Sequence, residues 1–201
     1  MSNVNRPGGL KPVSYLNGAP YNGQARLYYR GTGDANAIYV GDPVTLGGSA
    51  DAKGLADVVL GTAGSAIVGV VIGVVVVTAG VSLVGSPSVD LTIRSLAAST
   101  AGYLLVVDDP MVVFEIQDGQ TVATAITDVG QNTNFLIAAG ATTYSDSGTT
   151  TAAALTGTAT ANLKILGFVQ RDDNTVASAY AKLLVKINNH VYAASTGTAA
   201  I

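Results

Sequence analysis

The stretch YLLVVDDPMVVFEIQ, residues 103–117, decides the fold. Tyr103 to Val107 is a short apolar run. Asp108-Asp109-Pro110 ends it, because proline lacks an N–H and pushes the preceding residue away from helical torsions. From Met111 to Gln117 the pattern resumes with period two. Val112, Phe114 and Ile116 fall on one face, and Val113, Glu115 and Gln117 on the other. That alternation predicts a half-buried strand, closed by Asp118-Gly119. Glu115 is the only glutamate in the chain.

Working outward, the rest of the chain has the same β-rich character. Its 201 residues can bury a real core. Only 11% are charged, 24 are glycine, and Ala, Val, Thr and Gly dominate, which suits strands and turns better than long helices. The expected fold class is mostly β, a single β-barrel or β-sandwich (jelly-roll-like) domain with an extended N-terminal arm. Cysteine is absent, which excludes disulfides and thiolate metal sites. Residues 1–30 are polar and turn-rich, without the apolar stretch of a secretory signal.

Three expected regions follow from the charge distribution. Residues 1–33 carry Arg6, Lys11, Arg26 and Arg30 and no acid, a balance of +4. Pro7, Gly8, Gly9, Pro12, Gly18, Pro20 and Gly23 punctuate them, so they read as an extended basic arm with little core of its own. Residues 34–192 form the β-rich domain, and within it residues 34–163 have a balance of −9. Residues 193–201 are a small, polar tail expected to fray. The arm either lies on an acidic neighbour, anchored by Tyr15, Tyr21, Tyr28 and Tyr29, or packs on its own acidic body. The interface reading takes Arg6, Lys11, Tyr15, Tyr21, Arg26, Tyr28, Tyr29 and Arg30 as contact residues. Four bases over 33 residues are too sparse for nucleic acid.

Between Asp57 and Asp90 the chain runs 32 residues without a charge. Gly69-x-x-x-Gly73 lies inside it, a spacing that packs membrane helices. A spanning helix needs about 20 apolar residues, whereas Ala66 to Val77 gives twelve, mainly β-branched and broken by glycine. Two or three buried strands are expected here and no membrane association. Further strands are expected at Ala37–Val44, broken at Gly41-Asp42-Pro43, and at Leu163–Val169. Within Tyr180–Tyr192, Leu183, Val185 and Ile187 point inward. Val122–Val129 reads as a weaker strand, Gly47–Gly54 as a loop, and Ala141–Asn162 as a loop or Thr-rich edge.

Chemistry is sparse. His190 is the only histidine, and strand parity puts it outward with Lys186 and Asn188, as a surface residue. No G-x-S-x-G elbow or P-loop occurs. Asp108-Asp109 and Asp172-Asp173-Asn174 read as turns, not cation loops. No catalytic residue, metal or cofactor is expected, and the chain is not expected to be an enzyme.

The succession NRPGGLKPVSYLNGAPYNGQARLYY, YVGDPV, GVVIGV, YLLVVDDPMVVFEIQ, VGQN, LKILGFV and KLLVKINNHVY resembles a family of tailed-phage virion proteins, the head decoration or cement proteins. The resemblance covers about residues 5–192, and DDPMVVFEIQ and VKINNH are its most specific segments. It implies a mostly-β, non-catalytic protein on the outer surface of the capsid, with the major capsid protein of the same phage as partner. The Ala/Thr-rich stretch 141–162 departs from the family's pattern. Low charge and exposed-looking apolar content add an expected homotrimer, or alternatively a homodimer. A different structural reading is a host-receptor-binding or fibre head, with the Thr/Ala-rich loops as contact surface.

Overall fold

A computed structural model describes residues 3–75, 92–119, 123–142, 145–193 and 197. Strands are numbered in chain order. Five of them close a barrel: β2 (Arg26–Arg30), β4 (Pro43–Ala50), β5 (Ala56–Leu60), β6 (Gly69–Val75) and β8 (Gly102–Val107). Six form an open sheet in the order β1 (Lys11–Tyr15), β9 (Val112–Gln117), β13 (Lys182–Ile187), β12 (Leu163–Phe168), β10 (Asn132–Leu136) and β11 (Thr150–Thr156). The short strands β3 (Ile38–Tyr39) and β7 (Ser95–Leu96) pair by themselves. The protein is therefore mostly β, as its composition predicts.

The decisive stretch forms both of its strands, and they go to different sheets. β8 pairs with β2 and β6 in the barrel, and β9 pairs with β1 and β13 in the open sheet. Asp108-Asp109-Pro110 is the crossover between the two layers. Val112, Phe114 and Ile116 enter the core as predicted. Gln117 on the opposite face is also buried, because Arg6 N–H donates to its Oε1 at 2.8 Å and its Nε2 donates to Asn5 Oδ1.

The described part of the apolar run, to Val75, gives strand β6, and its two-sided burial explains its composition. Val70 faces the sheet and joins Leu10, Ile67, Val107, Phe114, Leu183 and Val185 in one core. Val71 and Val74 face the barrel interior with Tyr28, Val44, Val58, Leu104 and Val106. A strand buried on both faces reads as a continuous hydrophobic run. A register shift between Val71 and Gly73 interrupts the alternation. Among the described residues no helix is long and apolar enough to cross a membrane. Val76, Val77 and the whole stretch to Asp90 lie outside the described residues, as does nearly all of the tail 193–201.

The N-terminal segment differs from the expected arm. Leu10 is 1% exposed and sits in the shared core. β1 adds to the edge of the sheet, and β2 closes the barrel between β8 and a parallel contact with β5. The fit depends on a close backbone crossing: Leu10 N–H donates to Gly41 O at 2.9 Å, and Gly41 N–H donates to Val71 O. Gly9 and Gly41 have φ of +65° and +97°, and a Cβ on Gly41 would lie 2.7 Å from Gly8 O. Only glycine meets both demands.

Two further elements differ from expectation. In place of a strand at Val122–Val129, the described part holds a 3₁₀ turn at Ile126–Asp128. Asp128 Oδ2 accepts the Ala125 N–H at 2.7 Å and Ile126 is exposed, so local side-chain capping overrides apolar spacing. In place of a loop at Gly47, β4 continues to Ala50 through a register shift after Leu46. The Thr-rich stretch supplies β11, which is an edge strand of the sheet.

Candidate binding surface

The eight expected contact residues do not share one surface. Tyr28 and Arg30 are inside and cannot be contact residues. The barrel strand carrying them alternates toward the interior, and both polar tips are consumed internally. Tyr28 O–H donates to Asp108 Oδ2 at 2.7 Å and its oxygen lies 3.1 Å from the Tyr192 hydroxyl. Burial, then hydrogen bonding to Tyr192 and Asp108, pushes its phenol strongly upward. Arg30 is 0% exposed and plugs one end of the barrel. Its Nη1 donates to Ala97 O at 2.6 Å and Thr100 O at 2.7 Å, and its Nη2 donates to Asp34 O at 2.8 Å and to Asn36 O. Burial lowers its pKa, against the pull of Asp34 and Asp57. For Asp34 itself burial acts upward, but N–H donors from Leu60 and Asn36 and the Arg30 charge bring the carboxyl below its usual range.

Tyr29 stands half-buried against Tyr103, ring centroids 5.6 Å apart. Tyr15 and Arg26 border a hollow of about 500 Å³ with Asp108, Pro110 and Tyr192. There Arg26 Nε lies 3.2 Å from Asp108 Oδ2 and its guanidinium 5.9 Å from the Tyr192 ring centroid. Tyr21 stacks loosely on Tyr15 at 6.1 Å and donates its O–H to Gln24 O. Burial first, and Tyr15 second, raise its pKa.

Arg6 and Lys11 do meet, in a larger cleft of about 940 Å³. The N-terminal segment forms one wall, and the loops carrying Gly140, Asp146 and Arg171 form the others. Lys182 of β13 and Glu115 of β9 project into it. The inward set Leu183, Val185 and Ile187 leaves Lys182 on the outward face, but the sequence has no signal for its neighbours, which come from the N-terminal segment, β9 and the β12–β13 loop. Arg171 holds Glu115 with both terminal nitrogens, at 2.8 and 3.1 Å, and Asp173 with Nε at 3.0 Å. Asp146 accepts Arg94 Nε at 2.8 Å and lies 3.6 Å from Lys11 Nζ.

His190 is buried, not a surface residue. The strand ends at Ile187, so parity no longer applies, and residue 190 forms a parallel bridge with Ile67. Its Nδ1 accepts the Tyr192 N–H at 3.0 Å, while Nε2 has no partner among the described residues. Burial lowers its pKa, and Asp108 and Asp109 oppose that. Among the described residues no three His, Cys, Asp or Glu side chains are grouped to hold a metal.

No protein-family model, curated protein or solved structure matches the chain. The geometry therefore defines a mostly-β protein with an open, charged cleft.

Proposed function

We propose that the protein is a non-catalytic structural protein of a tailed-phage virion, which decorates the outside of the assembled head and ties neighbouring major capsid subunits together. The resemblance of residues 5–192 to head decoration proteins supports the family. The observation that carries the binding role is the cleft, where Arg6 and Lys182 form no ion pair with the described residues while the surrounding acids are engaged. A protein that binds only the assembled lattice stabilises it by mass action. As a homotrimer, or alternatively a homodimer, it repeats each weak contact and gains avidity.

Electron microscopy of purified particles carrying the labelled protein tests this reading. Copies spread over the whole shell in hundreds are the expected result. A few copies confined to the tail would replace it with the receptor-binding reading, which the Thr-rich edge strand β11 favours.

A further inference from the structure

We propose that the cleft takes an extended acidic segment of a partner protein, its carboxylates held by Arg6, Lys11 and Lys182. The proposal deepens the binding reading above and rests on it, but not on the partner being a phage head.

The argument starts from Lys182. An ammonium has three N–H donors. Two are spent on neutral oxygens: Gln117 Oε1 at 3.0 Å and Arg6 O at 3.2 Å. The third is left for a ligand. Burial lowers the Lys182 pKa, Glu115 pulls it back up, and Lys11 and Arg171 lower it again. Asp173 also raises it. Lys182 forms no ion pair with a carboxylate among the described residues, so an incoming anion can pair with it directly.

The neighbouring acids do not fill this role. Both oxygens of Glu115 are taken by Arg171, and Asp146 serves Arg94 as well as Lys11. The Arg6 guanidinium has no acidic partner among the described residues, and it hangs from a backbone that is itself pinned through Gln117. The two free cations are therefore held on one framework, which lowers the ordering cost of binding.

Gly8 and Gly140 line the cleft beside its charges. A Cβ on Gly8 would lie 2.6 Å from Lys11 Nζ and would displace that ammonium. Glu115, Asp146 and Asp173 are interleaved with the bases. Those carboxylates repel a continuous run of phosphates, but they leave room for an extended chain whose carboxylates are spaced.

The test is fluorescence anisotropy of the full-length protein with a labelled peptide of alternating glutamate and glycine. Lys182→Met and Arg6→Gln are each expected to weaken binding about tenfold, the worth of one charge-assisted hydrogen bond. Arg6→Gln leaves the strands untouched, and circular dichroism verifies the fold of both variants. Binding should also fall as salt rises. Absence of peptide binding, or binding unchanged in Arg6→Gln, overturns the proposal while leaving the particle-decoration experiment free to succeed or fail. Competition by oligothymidylate or inorganic phosphate as strong as by unlabelled peptide overturns the assignment to an acidic polypeptide.

Discussion

The barrel and the open sheet use the same small apolar residues and treat their borders in opposite ways. In the barrel each strand has a neighbour on either side, so none is an edge strand, although β2 meets β5 at only one paired position, Tyr29 with Asp57. One large charged side chain of the barrel, Arg30, is turned inward onto four carbonyls. In the sheet β1 and β11 have one partner strand each. The β1 edge is partly covered by residues 19–21: Tyr21 N–H donates to Val13 O at 3.2 Å, and Pro20 bridges Ser14. The charged cleft opens on the sheet's outer face. Closure leaves the barrel without edge strands, whereas the open sheet keeps two edges and carries the charged cleft.

The two layers nonetheless share Ile67, Val70 and Val107 in one core, and the largest expected effect tests that sharing. Val71→Asp puts an unpaired charge in the barrel interior and should cost more than about 4 kcal/mol. Circular dichroism and tyrosine fluorescence should then report loss of both layers in a single transition. A sheet that survives collapse of the barrel would separate the two.

Leu10→Ala comes next, at about 3 kcal/mol in urea unfolding, because the side chain fills the junction between the layers. A loss of less than about 0.5 kcal/mol, the usual range for a surface substitution, would restore the picture of a detachable arm. Arg30→Lys should cost about 2 kcal/mol, since a lysine cannot reproduce the planar fork that reaches Ala97, Thr100, Asp34 and Asn36. A neutral result in thermal melts would show that the barrel end closes without the guanidinium.

The smallest effect is with pH. Burial holds the His190 pKa below its usual 6.5, so the folded state binds fewer protons than the unfolded one. The stability this contributes is complete above pH 6.5 and is lost as pH falls through 6.5 toward the folded value. Between about pH 7.5 and about pH 5.5, the melting temperature of the native protein should therefore drop further than that of His190→Gln. Parallel curves would show that the imidazole titrates as if in water.

The sequence made some of this legible. Alternation in residues 112–117 marks β9 because one face meets a continuous core, and the β-branched run marks β6 because both faces do. β2 was hidden because RLYYR reads as two surface charges around tyrosines. The partners that bury Arg30 are backbone carbonyls, which leave no side-chain signature. Ile126 misled because an exposed isoleucine carries the same pattern as a buried one. The cleft was half legible: Arg6 and Lys11 stood out as unpaired bases, whereas Lys182 and Arg171 join them only through the pairing of β13 with β9.

The strand order also sets a timetable. Lys11 in β1 pairs with Glu115, and the barrel strand β2 joins Arg26 to Val106, so the earliest strands wait for partners far along the chain. β13, between β9 and β12 in the sheet, is the last of the described strands to be synthesised. At roughly 5–20 residues per second, β9 leaves the ribosome several seconds before β13 does. During that interval β9 presents an open edge, joined late by that of β12, and such edges are the sites at which nascent chains stick to one another. Such non-local pairing folds slowly, in milliseconds to seconds, so slowed synthesis or crowded polysomes should cost yield before they cost stability.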